Sequence, residues 1–293
     1  MDNLVSMKEL SVQQMEEIVK KARQFKEQGI PQMDKKYYVS NLFFEPSTRT
    51  KTSFEMAERR LGLEVVPFDA QFSSTTKGET LYDTVKTLEA IGLDALVIRH
   101  SEDGYYEELL GRTSVTIING GDGSGQHPSQ SLLDLFTIYE QFGRFAGLNI
   151  LIAGDISHSR VARSNADALT RLGANVQFLC PPEWQGEFEA VNGWDDVIEE
   201  ADVVMLLRVQ HERHDKQMNY TKEEYHATFG LTIERAAQLK DEAIIMHPAP
   251  VNRGVEIASE LIESEKSRIF QQVENGVYTR AAIIHTLLQG RNS

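Results

Sequence analysis

Cysteine is nearly missing from this sequence: Cys180 is the only one in 293 residues, so no intrachain disulfide can form. A reducing compartment fits that scarcity, and the cytoplasm is the expected location. Long apolar runs are missing too. A stretch such as 203–207 falls far short of the ~20 residues a membrane-spanning helix needs. The start, Met1-Asp2-Asn3-Leu4, has neither a basic segment nor an apolar one behind it, so no secretory signal peptide is expected. Positive charge is in short supply: 30 Lys and Arg face 44 Asp and Glu, a net charge of −14. Nucleic acid wants a basic face, so that balance argues against such a partner, and no membrane partner is expected either. Internal repeats and low-complexity segments are absent. What remains, 41% hydrophobic and 25% charged residues, is a globular composition long enough for two domains with cores of their own.

The apolar pattern alternates between two periods. Short runs at 37–44, 63–68, 95–98 and 115–118 read as buried strands. Helical spacing appears at 11–28, where Ser11 is placed as N-cap, Met15, Ile18, Val19, Ala22 and Phe25 share a face, and Gly29 with Pro31 closes the element. Leu81, Val85, Leu88 and Ile91 stack on one side of another helix. The run 129–142 is apolar over much of its girth and suits a buried connector between domains. After Gly143 the alternation restarts, with strands at 149–153, 175–179, 203–207 and 243–246, a helix over about 160–172, and a last helix over 279–289. This order predicts an α/β protein of two domains, each a mostly parallel sheet flanked by helices. Ligands of such sheets bind beyond the carboxyl ends of the strands. In the first half, residues 45–50, Arg99-His100 and the glycine-rich 119–127 all lie at such ends.

The most informative stretch is Phe43-Phe44-Glu45-Pro46-Ser47-Thr48-Arg49-Thr50-Lys51. An apolar strand precedes it, and Phe54, Ala57 and Leu61 mark one face of a helix that follows, ended by Gly62. Ser47 to Thr50 therefore sit where a strand turns into a helix. One reading makes Ser47 or Thr48 simply an N-cap. Four consecutive donors exceed what a cap needs, and a helix N-terminus with a positive dipole end is an anion site, above all for phosphate. Arg49 adds a fork able to grip two phosphate oxygens. The acidic net charge does not forbid this. Charges beyond a Debye length of ~8 Å are screened, whereas an arginine at ~4 Å contributes on the order of 4 kcal/mol per charge pair at an effective dielectric of ~20. More than one arginine is then required in the site.

Further segments complete a pattern that resembles the aspartate carbamoyltransferase family. In order they are Phe44-Glu45-Pro46-Ser47-Thr48-Arg49-Thr50, Lys77-Gly78-Glu79-Thr80, Arg99-His100, Gly121-Asp122-Gly123 with His127-Pro128-Ser129-Gln130, Gly154-Asp155 with Arg160, Arg208-Val209-Gln210, and His247-Pro248-Ala249-Pro250. The resemblance spans nearly the whole chain. It implies transfer of the carbamoyl group of carbamoyl phosphate to L-aspartate, giving N-carbamoyl-L-aspartate and phosphate, the committed step of pyrimidine synthesis. It also implies a carbamoyl-phosphate-binding domain over 1–133 plus 277–293 and an L-aspartate-binding domain over 134–276.

Roles follow from the same resemblance. Ser47, Thr48, Arg49 and Thr50 would hold the phosphate, with Thr50, Arg99 and His127 at the carbonyl oxygen that gains charge in the transition state. Gln130 would bond the carbamoyl NH₂. Ser73 and Lys77 would enter the site of a neighbouring subunit in a homotrimer, although local sequence alone reads Lys77 as a solvated surface lysine. Lys77, Arg160, Arg208 and Gln210 would bind aspartate, and the backbone carbonyl of Ala249, beside Pro250, would receive the carbamoyl NH₂ or the amine. Glu45, Arg160 and Arg213 would form a domain-closure set. Two departures stand out: the middle of Gly154-Asp155-Ile156-Ser157-His158-Ser159-Arg160 differs from allosteric bacterial members, and Ala249 replaces a common leucine.

No cofactor and no metal are expected. His211-Glu212-Arg213-His214 has one residue too few between its histidines for a zinc-protease motif. Gly121, Gly123 and Gly125 lack the spacing of a dinucleotide loop. Two rivals stay in view. The ornithine-specific branch carries a His-Cys-Leu-Pro motif where this chain has His247-Pro248-Ala249-Pro250, and an arginine-lined pocket repels a cationic side chain. A catalytically silent phosphate-binding partner would show lost catalytic residues, and none is lost.

Overall fold

The computed structural model describes residues 1–70, 78–209 and 220–290. The chain divides into two compact units, Met1–Phe136 with Val273–Ser293, and Thr137–Gln272. Each contains a four-stranded sheet whose paired strands are all parallel.

The first unit opens with α1 (Val12–Gln28), started by a reciprocal Ser11–Gln14 capping box and ended at Gly29, φ 93°. Its Met15, Ile18, Val19, Ala22 and Phe25 are buried, the face the spacing predicts. Then follow β1 (Tyr38–Phe43), α2 (Thr48–Arg60), β2 (Glu64–Val65), α3 (Leu81–Ile91), β3 (Ala95–His100), β4 (Thr116–Asp122) and α4 (Pro128–Phe142). The strand order is β2-β1-β3-β4. Connections leaving β1 therefore run outward to β2 on one side, and the chain returns to β3 on the other. The gap between the ends of β1 and β3 is the switch point where such sheets bind ligands.

Several elements differ from the sequence expectation. The run 63–68 pairs only at Glu64 and Val65, because only those residues meet β1. The segment 119–122, expected in a loop, is strand. Pairing passes from Ile98 with Asn119 to His100 with Asp122, so β4 carries an extra residue opposite Arg99. Gly120 and Gly121 form that bulge. A Cβ on Gly120 would lie 3.3 Å from the Ile98 carbonyl oxygen, and Gly121 has φ 121°, which favours glycine. Ile91 is 70% exposed instead of packed beneath α3. The last helix, α8 (Ile269–Gly290), begins ten residues before the expected 279. Its first turns carry the exposed Phe270 and Val273 and the interior Gly276, which hide a helical face from pattern reading.

Inside the first unit, Glu58 of α2 is fully buried and accepts a 2.7 Å hydrogen bond from Asn41 Nδ2 of β1. Burial, only partly offset by that bond, pushes its carboxyl up to about 7. The folded state therefore binds a proton that the unfolded chain releases near pH 4.5. This contribution to stability is full below that pH and is lost as pH rises through about 7. Glu58→Gln is expected to remove the dependence. Relative to wild type it should gain on the order of 3 kcal/mol between pH 4.5 and 8, read as the difference in urea midpoints of the two proteins. Parallel midpoints across that range would exclude a neutral Glu58.

The second unit holds β5 (Asn149–Ala153), α5 (Arg160–Arg171), β6 (Asn175–Leu179), β7 (Val203–Leu206), α6 (Lys222–Phe229), α7 (Ile233–Ala236) and β8 (Ile244–Met246). Helix α6 was not anticipated, although its capping box, Thr221 with Glu224, is legible in the sequence. Strand order is β6-β5-β7-β8, so the switch point lies between β5 and β7. Leu151, Ala153, Val204, Leu206 and Ile245 pack with Trp194, Val197 and Leu231 into one apolar cluster. No helix among the described residues is long and apolar enough to cross a membrane.

Candidate active site

At the switch point of the first unit, β1 ends and the chain enters α2. Ser47 occupies the N-cap position with φ −160° and ψ 84°, yet its side chain makes no capping hydrogen bond. The helical ladder begins with Lys51 N–H donating to Ser47 O at 3.1 Å. The amides ahead of it point out of the helix start, as an anion site requires. Thr48 and Arg49 are exposed and Thr50 is buried. Ser159, by contrast, does cap its helix, accepting from Ala162 N–H. Ser159→Ala should therefore cost ~1 kcal/mol of stability, and Ser47→Ala under about 0.5 kcal/mol while raising the KM for a phosphate ligand. Thermal melts beside saturation curves separate the two; an equal loss of stability would return Ser47 to plain capping.

Next to this helix start, the Phe44 N–H donates to Arg99 O at 2.9 Å, tying the ends of β1 and β3 together. Arg99 Nε lies 3.3 Å from Glu45 Oε2, both side chains being largely buried. Arg99 Nη1 reaches the Gly120 carbonyl of the β4 bulge at 3.4 Å. The fork is thus set across three strand ends. His100 is held differently: its ring packs edge-on to Phe44 at 5.3 Å and Nδ1 accepts the Glu102 N–H.

The glycine-rich segment after β4 does not cradle a phosphate. Gly121 N–H donates to Asn119 Oδ1, Gly123 N–H to His100 O, Gly125 N–H to Asp122 O, Ser124 N–H to Asp103 Oδ1 and Gln126 N–H to Asp122 Oδ1. These amides are spent on acceptors within the protein, two of them on Asp122, one on its carbonyl and one on its carboxylate. The turn instead delivers His127, 6% exposed, to the start of α4, where Pro128 occupies the first helical position. Gln130 Nε2 donates to Asp134 Oδ1 at 3.0 Å, which leaves Gln130 Oε1 as the acceptor end of the amide.

In the second unit, Gly154 follows β5 with φ 132°. A Cβ there would sit 2.8 Å from Leu207 O, so glycine lets the ends of β5 and β7 approach. The next turn is wound on Asp155, whose carboxylate is 2.8 Å from His158 Nδ1. Ser157 Oγ also meets Nδ1, at 3.2 Å, so the three are not a nucleophilic triad, which would use the other ring nitrogen for serine. Arg160 begins α5, and Arg208 lies just beyond β7; both are half-buried. Glu256, 2% exposed, accepts from Val209 N–H at 2.8 Å, from Asn252 N–H at 2.9 Å and from Asn252 Nδ2 at 2.7 Å. That carboxylate, which burial pushes up, fixes the chain after Arg208 against the segment after Pro250. Ala249 has φ 54°, its N–H donates to His247 Nδ1 at 2.8 Å, and the Ala249–Pro250 peptide is cis.

Comparison with known proteins then decides the family. Residues 2–140 match the family model described as Aspartate/ornithine carbamoyltransferase, carbamoyl-P binding domain. Residues 146–287 match Aspartate/ornithine carbamoyltransferase, Asp/Orn binding domain. The aspartate carbamoyltransferase catalytic subunit of Staphylococcus epidermidis is 59% identical over 295 aligned positions, 99% of this chain and 100% of that protein. The chain belongs to the aspartate carbamoyltransferase family. A Listeria monocytogenes catalytic subunit is 56% identical over 293 positions, covering 99% and 96% of the two chains. Among solved structures, the catalytic subunit of M. jannaschii aspartate transcarbamoylase is 32% identical with a TM-score of 0.87 over 100% of both chains. The Trypanosoma cruzi aspartate transcarbamoylase in complex with N-(phosphonacetyl)-L-aspartic acid is 28% identical with a TM-score of 0.83, over 97% of this chain and 94% of that one.

Of the residues proposed for an aspartate carbamoyltransferase site, the first unit gathers Glu45, Ser47, Thr48, Arg49, Thr50, Arg99, His127 and Gln130 on elements that leave or enter the carboxyl edge of its sheet. The second unit carries Arg160, Arg208, Ala249 and Pro250 on the corresponding edge of its own. Ser73, Lys77, Gln210 and Arg213 lie outside the described residues, as does the 211–214 histidine pair. Among the described residues no group of three His, Cys, Asp or Glu side chains could hold a metal ion. Sequence reading missed Asp134 and Glu256, and it named Asp155 only within the Gly154-Asp155 segment, without the contact to His158. Asp134 had a signal, standing four residues after Gln130 on a helix. Glu256 had none, because Val209, whose amide it holds, lies 47 residues away in the chain.

Proposed function

We propose that this chain catalyses attack of the L-aspartate amine on the carbonyl carbon of carbamoyl phosphate, forming N-carbamoyl-L-aspartate and releasing phosphate, the committed step of pyrimidine synthesis. The first unit serves as the carbamoyl-phosphate domain and the second as the L-aspartate domain, with boundaries near residues 134 and 276. One observation carries the reading: the start of α2, the Arg99 fork and His127 stand at the carboxyl edge of one parallel sheet, where two cations and a helix N-terminus suit a phosphorylated substrate.

In this mechanism Ser47, Thr48, Arg49 and Thr50 hold the phosphate. The amine nitrogen forms the new bond to carbon, and the carbonyl oxygen gains charge facing Thr50, Arg99 and His127. The carbon–oxygen bond to phosphate then breaks, and the departing phosphate takes the proton that the amine sheds. Gln130 Oε1 accepts from the carbamoyl NH₂, because its Nε2 is committed to Asp134. Arg160, Arg208 and Gln210 bind the two carboxylates of aspartate, and the Ala249 carbonyl receives an N–H. The catalytic subunit works as a cytoplasmic homotrimer in which Ser73 and Lys77 complete a neighbour's site, and no cofactor takes part. A colorimetric assay for carbamoyl-amino-acid product tests the reading. Turnover with aspartate is expected; preference for ornithine, or no turnover with either, overturns it.

A further inference from the structure

Arg280 of α8 is 3% exposed and belongs to none of the groups assigned above. Its Nη1 donates to Ser53 Oγ of α2 at 2.8 Å, and its Nη2 to Ser129 Oγ of α4 at 3.4 Å. Its guanidinium carbon lies 5.0 Å from the centre of the Phe54 ring. Ser53 is one helical turn beyond Arg49, and Ser129 is two residues beyond His127. The side chain folds back along its own helix, and a Cβ on Gly276 would collide with Nη1. A glycine in a helix interior is unfavourable by itself, and here it makes room for the cation.

Stability alone accounts poorly for this arrangement. Arg280 Nε is buried without a hydrogen-bond partner, and burial draws the guanidinium down to about 10 even with the Asp134 carboxylate acting against that shift. A buried charge of this kind is often matched or bettered in stability by an apolar side chain. What an apolar side chain cannot do is bridge two serines on two helices.

We propose that Arg280 is a positioning residue: its planar fork locks the first turns of α2 and α4 together and so sets Arg49 and Thr50 against His127 and Gln130. This rests on the reaction proposed above. Asp134 belongs to the same assembly, since it accepts from Gln130 and lies near Arg280.

Arg280→Met, Arg280→Lys and the double variant Ser53→Ala with Ser129→Ala test it. Arg280→Met should melt at or above the wild-type temperature, yet lose at least tenfold in kcat/KM for carbamoyl phosphate, with both kcat and KM affected. Its dissociation constant for inorganic phosphate, measured by calorimetry, should rise about tenfold. Arg280→Lys, able to reach one serine only, should fall between. Wild-type kinetics and phosphate affinity in both Arg280→Met and the double variant would overturn the clamp, as would a lowered melting point with unchanged KM and kcat. If Arg280→Met does not fold, the double variant decides, because it keeps the cation and removes both acceptors. Failure of the wild-type protein to turn over refutes the reaction instead, and phosphate affinity then judges the clamp alone.

Discussion

The Arg49→Ala protein is expected to lose roughly 10²- to 10³-fold in kcat/KM for carbamoyl phosphate, the ~3–4 kcal/mol typical of truncating a desolvated charge partner. Stability should change by less than about 0.5 kcal/mol, because Arg49 is exposed at the first turn of α2. The loss has two sources. A bidentate, charge-assisted grip disappears, and the amides at the helix start face the phosphate without a cation beside them. Lys77→Ala should be about as inactive. Mixing the two inactive proteins and letting their subunits reassemble should restore part of the wild-type rate, since some sites would then carry both intact residues. Correctly assembled hybrids that stay silent would rule out sites shared between subunits, and an Arg49→Ala protein with wild-type kcat/KM would remove α2 from the phosphate site.

Arg99→Ala should act chiefly on kcat, by about 10²- to 10³-fold, as expected when one donor to a developing oxyanion is removed. Here the structure adds a second consequence. Glu45 would keep its carboxylate beside the site without the guanidinium now 3.3 Å away, leaving negative charge where the transition state also develops it. Arg99→Lys should rescue little, because one ammonium cannot reproduce a planar fork that faces Glu45 with Nε and the Gly120 carbonyl with Nη1. Adding Glu45→Gln to Arg99→Ala should recover part of the lost rate. Separate measurement of kcat and KM for the three proteins checks this. A change confined to KM would mean that Arg99 binds the ground state alone.

The Gly121–Gly125 segment shows where sequence reading misled. Its glycines were expected in a loop after a strand ending at 118, yet the strand runs on to Asp122 through a bulge and the rest turns around that residue. A glycine allows an amide to face a ligand or to face inward, and only the acceptors around it select between these. The early turns of α8 were misread for a related reason. Phe270 and Val273 point outward, and Gly276 is kept for the bulk of Arg280, so the local pattern carries no helical stripe. Where burial repeats at a fixed spacing, as along α1, the reading held residue by residue.

From the sequence by itself came the α/β class, the strand-to-helix turn at Ser47–Thr50 and the cations expected around it. Each rests on neighbours within one turn or one strand, a range over which spacing dictates geometry. Only the tertiary structure decided that Ser47 does not cap α2, that Arg99 leans on Glu45, that Gln130 turns its amide nitrogen to Asp134, and that Arg280 joins two helices far from it in the chain. Such contacts depend on which buried polar atoms find each other once the sheets have formed. Residue order constrains that outcome weakly, because a buried donor must be satisfied but any nearby acceptor can satisfy it.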